Sequence, residues 1–406
     1  MGEFFIRGGK SLRGEIAVSG SKNAALPIIF SCLLIYGKST LTNVPNITDV
    51  DVALDILRDF GATVERIDDK VVIDTVSLTY KTPDEKKVSK IRASSYLIGA
   101  SLGRFGIAEL QRFGGCNFDN RPIDMHISAA TSLGAKLTCD KLVADSLLGS
   151  DIIFNKISVG ATVNAILLAA SAVGESRIYG YAREPHVISL IDCLNDAGAK
   201  IKVFEDHISV CGRPLSSAST NIIPDMIEAG TYLSLSLATS SCLRVSGVGI
   251  GELESFVRAC VFGGAVAEFD ERAIQFFGRI SEPMNIETAP YPHFPTDIQP
   301  QMAALMAVSA GGTITEGVWH NRFGYLSELS KFGVEFDNSS NFAVIKKSKL
   351  TPAKASAMDL RGGAALLIAA LCADGESIIY ESDIIKRGYA DIVSKLCCVG
   401  AQIEEF

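Results

Sequence analysis

Two kinds of apolar segment alternate along this chain. The first is a run of apolar and small residues that ends at a turn, usually a glycine, and precedes a strand-like piece such as Ser176-Arg177-Ile178-Tyr179. A helix that is apolar on all sides is expected to be buried, so the pattern predicts six buried helices. The six runs cover residues 24–36, 96–105, 161–173, 231–239, 302–310 and 364–373.

An amphipathic helix follows each of these runs and closes with a glycine and an alternating strand. Glycine directly after the last turn is a common signal for a helix C-terminus. Successive closures are roughly 64 to 73 residues apart, which indicates one unit repeated six times. The closing glycines are Gly61, Gly134, Gly198, Gly264, Gly333 and Gly400.

This repetition has two interpretations. The first is an ordinary alternation of helices and strands without internal symmetry. The second, which we favour, is six βαβαββ units, three in each of two domains, with the apolar helices at the centre and the sheets outside them. The predicted fold is therefore α/β, a two-domain inside-out α/β barrel, because the usual α/β barrel has its strands at the centre.

Length and charge narrow the possible functions. At 406 residues the chain exceeds the size of a usual single core, which favours two domains. The net charge of −8 argues against a nucleic acid bound through a basic face. The longest apolar run, residues 24–36, contains Pro27 and Ser31 and is too short to span a bilayer. We therefore expect a soluble cytoplasmic protein with neither a nucleic-acid partner nor a membrane segment.

Cysteine and histidine spacing does not indicate a metal site. The 10 cysteines are scattered, and the 5 histidines lack the spacing of metal ligands. The stretch Gly247-Val248-Gly249-Ile250-Gly251 is rich in glycine but does not form a dinucleotide fingerprint in its context. We predict no catalytic metal and no organic cofactor.

Cations recur where the predicted helices begin. Helix N-termini carry free N–H groups and the positive end of the helix dipole, so a Lys or Arg there opposes the dipole. These side chains are either solvated surface charges or, as we favour, positions that bind anionic ligands, with charge enough for a diphosphate, a phosphate and a carboxylate. The seven cations are Lys22, Arg92, Arg121, Lys156, Arg322, Arg361 and Arg387.

A set of separate motifs, spread over nearly the whole chain, carries a family resemblance. The motifs are Ser19-Gly20-Ser21-Lys22-Asn23-Ala24-Ala25, Gly114-Gly115-Cys116, Arg121-Pro122-Ile123-Asp124-Met125-His126, Ser158-Val159-Gly160-Ala161-Thr162-Val163, Ala182-Arg183-Glu184-Pro185, Phe294-Pro295-Thr296-Asp297, Asn321-Arg322-Phe323, Asp359-Leu360-Arg361 and Arg387-Gly388-Tyr389. Together they resemble the UDP-N-acetylglucosamine 1-carboxyvinyltransferases, which are enolpyruvyl transferases related to EPSP synthase. The Gly-Gly-Cys loop favours the UDP-sugar enzymes over EPSP synthase, which lacks it.

The resemblance implies two substrates, phosphoenolpyruvate and UDP-N-acetylglucosamine, and a set of residues for each. The residues implied for the phosphate of phosphoenolpyruvate are Lys22, Arg92, Arg121 and Arg387, and those for its carboxylate are Arg322 and Arg361. The residues implied for the UDP diphosphate are Arg121, Lys156, Ser158, Val159 and Gly160, and those for uridine are Pro122, Ile123, Asp124, Met125 and His126. The residues implied for the sugar are Asn23 and Asp297.

The resemblance also implies how the domains are divided. One domain would comprise residues 22–224, and the other would combine residues 1–21 with residues 225–406. This discontinuity agrees with three repeats in each domain. The active site would lie in the cleft between the domains, and closure of the cleft would expel water and strengthen the charge contacts inside it.

The implied chemistry is an addition followed by an elimination, for which we expect Cys116, Asp297 and Lys22 to be catalytic. Asp297 would take the proton of the sugar hydroxyl, and Cys116 would deliver a proton to carbon or add to C2 as a thiolate. Simpler interpretations remain open for several residues. Cys116 would then be a packed loop thiol, Asp297 a helix N-cap, and His126 a packed core side chain.

The chain departs from the family pattern in a few places. Phe113 stands where proline is usual, Asp119 where glycine is expected, Met226 where arginine is frequent, and Gly362-Gly363 where Ala-Ser is expected. These departures bear on the mobility of the loop and on the finer preference for the acceptor. Apart from them, two other functions stay open. One is enolpyruvyl transfer to a different nucleotide or nucleoside, and the other is non-catalytic binding of a UDP-sugar.

Overall fold

The computed structural model describes residues 2–115 and 122–406. The predicted site residues Cys116 and Arg121, and the sequence departure at Asp119, lie outside the described residues. The described chain divides into two compact units. The first unit consists of residues 2–19 and 224–406, and the second consists of residues 20–115 and 122–223.

Three four-stranded sheets of the first unit share one arrangement. In each, an edge strand pairs in parallel with its neighbour, and the remaining pairs are antiparallel. In pairing order the sheets are Lys354–Ser356, Glu376–Tyr380, Glu3–Arg7 and Gln402–Glu405; Arg13–Ala17, Cys242–Ser246, Ala273–Phe277 and Val266–Phe269; and Met284–Thr288, Gly312–Glu316, Phe342–Ile345 and Phe336–Asn338.

The second unit repeats this arrangement in two of its sheets. In pairing order these are Asp151–Ile153, Glu175–Tyr179, His207–Cys211 and Lys200–Val203; and Ser219–Asn221, Lys38–Thr42, Lys70–Asp74 and Thr63–Ile67. A third sheet contains Ile107–Glu109, Lys141–Val143 and Lys136–Thr138, and a short parallel pair contains Leu215–Ser216 and Ile35–Tyr36.

Six helices coincide with the apolar runs, and most of their side chains are buried, as predicted. Parallel strands need a crossover connection, and three of these helices provide it, as Gln299–Val308 does between Met284–Thr288 and Gly312–Glu316. The six helices are Lys22–Ser31, Leu97–Phe105, Val159–Ser171, Met226–Ala238, Gln299–Val308 and Leu360–Cys372. No helix in the described residues is long and apolar enough to cross a membrane.

The predicted glycine closures are confirmed by the backbone. All six closing glycines have φ between 91° and 106°, in the left-handed region that a side chain disfavours. The helices before them are Thr48–Asp59, Asp124–Ser132, Pro185–Asp196, Ile250–Phe262, the pair Leu326–Leu329 and Ser330–Phe332, and Ile392–Cys398. Further short helices are Cys32–Leu34, Glu85–Val88, Arg92–Tyr96 and Asp383–Lys386.

Candidate functional site

Three of the predicted site residues meet within the first unit, where two arginines hold one carboxylate. Nη2 of Arg322 lies 2.7 Å from Oδ1 of Asp297, and Nη2 of Arg361 lies 3.2 Å from Oδ2. The side chains of Arg322 and Arg361 are only 6% and 5% exposed, whereas that of Asp297 is 30% exposed. The carboxylate is therefore the solvent-facing member of a largely buried ion cluster.

Each member of this cluster is positioned by the backbone around it. Arg361 is the second residue of the helix Leu360–Cys372, and Asp359 caps that helix by accepting from the N–H groups of Arg361 and Gly362. Arg322 follows Asn321, whose φ of 56° turns the chain. The helix after Asp297 has Ile298 at its N-cap. The N-cap interpretation of Asp297 is therefore wrong, because its carboxylate binds side chains instead of backbone N–H groups.

The two guanidinium groups control the charge of Asp297. Burial alone would raise the pKa of this carboxyl group, but the charges of Arg361 and Arg322 outweigh burial and hold the pKa well below its usual range. Asp297 is therefore ionised at neutral pH. In this state it is an acceptor for hydrogen bonds and a weak base.

A second layer behind the cluster was not found from the sequence. Nη1 of Arg322 donates to Oγ1 of Thr296 at 2.6 Å, and that hydroxyl lies 2.9 Å from Oε2 of Glu316. Glu316 also accepts from the backbone N–H groups of Val318 and Trp319. Because Glu316 lies some 20 residues from Thr296 and in a strand, no local pattern indicated this link.

Lys22 opens the first apolar helix of the second unit and is ion-paired. Its Nζ lies 2.7 Å from Oδ2 of Asp49, and the Asp49 side chain is only 3% exposed. Asn23 follows Lys22 in the same helix and is half-buried. Lys22 therefore lies at a helix N-terminus, and the buried carboxylate of Asp49 binds its ammonium group.

His126 lies in a buried polar cluster of the second unit, centred on Asn164. Oδ1 of Asn164 accepts from the N–H of Gly99 at 2.6 Å, so Nδ2 is the donor that faces Nδ1 of His126 at 2.7 Å. Nδ2 also lies 3.1 Å from the carbonyl oxygen of Ser95. Burial, followed by the charge of Arg92, lowers the pKa of His126 to about 4. The imidazole is therefore neutral at neutral pH.

The remaining predicted residues of this unit lie near the start of two helices. Ser158 caps the helix Val159–Ser171 by accepting from Ala161 N–H, and Gly160 approaches His126 so closely that an added Cβ would lie 3.1 Å from its Cε1. Lys156 is exposed. Pro122, Ile123, Asp124 and Met125 lead into or open the helix Asp124–Ser132.

One cation does not occupy the place that the sequence predicted. Arg387 follows the last residue of the short helix Asp383–Lys386 and is its C-cap. The next helix, Ile392–Cys398, begins five residues later. The helix-start assignment of Arg387 is wrong because the local pattern did not separate these two short helices.

Two of the departures from the family pattern have structural reasons. A Cβ at Gly362 would lie 2.8 Å from Cβ of Tyr325, and one at Gly363 would lie 2.6 Å from Cγ1 of Ile385. Both glycines therefore allow neighbouring side chains to pack against the helix that carries Arg361. Met226 packs against the apolar core of the first unit.

Within residues 2–115 and 122–406, no group of three or more His, Cys, Asp or Glu side chains is placed to bind a metal ion. The candidate site residues of both units are instead cations, carboxylates and buried polar side chains. Cations of this kind can bind anions, and a carboxylate can accept a proton.

The sequence is similar over nearly its whole length to those of known proteins. The family model of EPSP synthase (3-phosphoshikimate 1-carboxyvinyltransferase) matches residues 6–396. UDP-N-acetylglucosamine 1-carboxyvinyltransferase 3 of Caldanaerobacter subterraneus subsp. tengcongensis is 40% identical over 414 residues, which cover 99% of each chain. UDP-N-acetylglucosamine 1-carboxyvinyltransferase of Halothermothrix orenii is 39% identical over the full length of both chains.

Solved structures show the same fold. The enolpyruvyl transferase NikO from Streptomyces tendae superposes with a TM-score of 0.90 at 24% identity, covering 100% of this chain and 99% of that one. EPSP synthase from Acinetobacter baumannii superposes with a TM-score of 0.73 at 17% identity, covering 100% of both chains. At these identities the likeness establishes the fold alone.

Proposed function

The chain belongs to the enolpyruvyl transferase family that includes EPSP synthase and the UDP-N-acetylglucosamine 1-carboxyvinyltransferases, and on this basis we propose that it transfers the enolpyruvyl group of phosphoenolpyruvate to the 3'-hydroxyl of UDP-N-acetylglucosamine. The full-length identity to relatives of that name carries the proposal. The reaction would be the first committed step of peptidoglycan synthesis.

The reaction exchanges one C–O bond for another. In the addition step, C2 of phosphoenolpyruvate gains the acceptor oxygen while C3 gains a proton. In the elimination step, C3 loses a proton and C2 releases inorganic phosphate. The net products are the enolpyruvyl ether of the sugar and one phosphate. The protein must therefore accept the hydroxyl proton, supply a proton to carbon and bind the leaving phosphate.

The ion cluster of the first unit supplies groups for the carboxylate of phosphoenolpyruvate. Arg322 and Arg361 are nearly buried, and Nη1 of Arg361 is buried without a hydrogen-bond partner in the described chain. An unsatisfied buried N–H is costly, and a substrate carboxylate would satisfy it. Planar guanidinium groups also match carboxylate geometry.

Asp297 is the base in this proposal, and its arginine partners would tune it. In the free protein the two guanidinium charges make the carboxylate a poor proton acceptor. When a substrate carboxylate shares those charges, the pKa of Asp297 rises towards the range that general base catalysis needs. Substrate binding would thereby activate the base at the moment when it is needed.

The second unit supplies groups for phosphate and nucleotide. Lys22 and Arg92 would bind the phosphate of phosphoenolpyruvate, together with Arg387 of the first unit. Lys156 and the backbone of Ser158, Val159 and Gly160, at the start of a helix, would bind the diphosphate. The residues from Pro122 to His126 would line the uridine, and Asn23 the sugar. Cys116 and Arg121 complete the proposed set as proton donor and phosphate ligand.

We also propose that each unit is an inside-out α/β barrel of three βαβαββ repeats. The repeated sheet arrangement and the six buried helices support this. The domains would be residues 22–224 and residues 1–21 with 225–406. The division of the described units between Ser19 and Gly20, and between Ile223 and Pro224, supports these boundaries. We place the enzyme in the cytoplasm, without a cofactor.

The decisive experiment compares acceptors. Purified protein is mixed with phosphoenolpyruvate and either UDP-N-acetylglucosamine, UDP or uridine, and both released phosphate and the mass of the acceptor are measured. We expect phosphate and an enolpyruvyl adduct only with the UDP-sugar. Phosphate release with uridine or UDP but not with UDP-N-acetylglucosamine would contradict this function and would indicate enolpyruvyl transfer to another nucleoside or nucleotide. Asp297→Asn should be inactive, whereas Asp270→Asn, at an exposed ion pair with Arg244, should be active.

A further inference from the structure

The guanidinium group of Arg361 rests on an aromatic ring. Its Cζ lies 5.5 Å from the ring centroid of Tyr389, which is only 1% exposed. A guanidinium over an aromatic face at this distance is attracted by the ring, and the attraction increases when both groups are removed from water. Tyr389 and Asp297 therefore bind the same guanidinium group.

The hydroxyl of Tyr389 fixes the orientation of this ring. Nε2 of Gln301 donates to Oγ1 of Thr231 at 2.9 Å and to Oη of Tyr389 at 3.2 Å. Thr231 donates its only hydroxyl proton to the carbonyl oxygen of Ile227 at 2.9 Å. The contact of 2.8 Å between Thr231 and Tyr389 must therefore have the tyrosine as donor. All three side chains are buried.

Three separate segments of the first unit hold the ring in place. Thr231 lies on the helix Met226–Ala238 and Gln301 on the helix Gln299–Val308. Tyr389 follows Gly388, where an added Cβ would lie 2.6 Å from Cδ2 of Leu360. The missing side chain at Gly388 thus lets this segment lie against the start of the helix that carries Arg361.

We propose that Tyr389 is a positioning residue that holds Arg361 in the orientation that binds the carboxylate of phosphoenolpyruvate. This inference rests on the proposed function. Arg361 stands at the start of a helix, where the dipole opposes its charge. Asp297 already binds Nη2 of this guanidinium, and the ring face supports the group without taking up a further N–H. Nη1, which is buried without a hydrogen-bond partner in the described chain, therefore stays available to the substrate.

The test uses variants that separate the ring from the hydroxyl. Tyr389→Met keeps an apolar side chain of considerable volume but removes the aromatic face, and Tyr389→Phe keeps the face but removes the hydroxyl. Phe256→Leu is the matched control, since Phe256 is a buried aromatic residue of the same unit that packs against Phe276 and Phe294.

Binding of phosphoenolpyruvate can be followed without turnover. The chain contains 1 tryptophan, Trp319, whose backbone N–H donates to Glu316 in the layer behind Arg322. Its fluorescence is titrated with phosphoenolpyruvate, and steady-state KM values are measured for both substrates. We expect Tyr389→Met to weaken binding of phosphoenolpyruvate by about 10- to 30-fold. Its KM for UDP-N-acetylglucosamine should stay within about twofold, because a cation–π contact to Arg361 concerns only the carboxylate site.

The conservative variant supplies the rescue. Tyr389→Phe should bind phosphoenolpyruvate within about threefold of the natural protein, because the face that contacts Arg361 is retained. The positioning role is overturned if Tyr389→Met binds it normally, if Tyr389→Phe is as damaging as Tyr389→Met, or if Phe256→Leu gives the same pattern. Natural protein that binds phosphoenolpyruvate but does not use the UDP-sugar would refute only the acceptor in the proposed function. Natural protein that does not bind phosphoenolpyruvate would overturn both.

Discussion

Replacing His126 by asparagine should make the stability of the protein less sensitive to acid. In the folded chain Nδ1 of His126 accepts from Nδ2 of Asn164 at 2.7 Å, so the ring must be neutral to keep this bond. Burial, then the charge of Arg92, lowers its pKa to about 4, while Asp124 opposes this shift. In the unfolded chain the imidazole has its ordinary pKa of about 6.5. The asparagine in His126→Asn still offers an acceptor but does not titrate.

The two pKa values of His126 determine whether acid raises or lowers the free energy of unfolding, and by how much. Because the folded pKa is the lower one, the unfolded chain binds more protons between about pH 6.5 and about pH 4. The stability that depends on a neutral His126 is therefore fully present above about pH 6.5 and is lost as the pH falls towards about 4. Between about pH 7.5 and about pH 5, the loss amounts to about 2 kcal/mol.

Urea unfolding at several pH values measures this difference. When the pH is lowered from about 7.5 to about 5, the free energy of unfolding of the natural protein should fall by about 2 kcal/mol more than that of His126→Asn. His293→Asn, at an exposed histidine of the first unit, is the control and should follow the natural protein. Equal pH dependence in the natural protein and His126→Asn would refute the assignment of a buried, neutral imidazole.

Three further predictions concern single residues. Asp297→Asn should reduce phosphate release by about 100-fold or more, since the variant lacks the proposed base; activity near that of the natural protein would remove Asp297 from the mechanism. Fosfomycin, an epoxide phosphonate that mimics phosphoenolpyruvate, should alkylate the Cys116 thiol. Cys116→Asp should keep turnover but resist fosfomycin, whereas Cys116→Ser should lose both turnover and alkylation. Alkylation mapped to another thiol would contradict this. Asn164→Leu should lower the free energy of unfolding by about 2–5 kcal/mol, because Gly99 N–H and the Ser95 carbonyl lose their buried partner. An unchanged urea midpoint would show that the hydrogen bonds of Asn164 do not stabilise the fold.

The helices and their closures could be predicted because their signals are local. The apolar run at residues 161–173 became the helix Val159–Ser171, and the strand after it was found as Glu175–Tyr179. A helix that is apolar on every face and a glycine after its last turn can both be recognised directly in the sequence. The same reasoning failed at Arg387, where two helices of four and seven residues replaced the single one expected.

The polar networks could not be predicted because their members are far apart in the chain. Asn164 binds Gly99 and Ser95, which precede it by 65 and 69 residues. Its own surroundings in the sequence are those of any apolar helix, so an asparagine there gave no sign of its partners. Thr296 and Glu316 remained hidden for the same reason. The sequence motifs proposed candidate site residues, but they did not indicate the distant residues that contact them.

The cations at helix starts have a different meaning once their partners are known. The sequence predicts that a Lys or Arg at a helix N-terminus binds an anionic ligand. In the structure, Lys22 is already paired with Asp49, and Arg361 is already paired with Asp297. A ligand anion must therefore share or displace an internal carboxylate, and the net gain is smaller than the sum of new contacts. The internal acid compensates by holding the cation in one orientation before the substrate arrives. In the proposed function the substrate carboxylate would take over that charge at Arg361, and the acid released would be Asp297, the residue proposed to accept the proton.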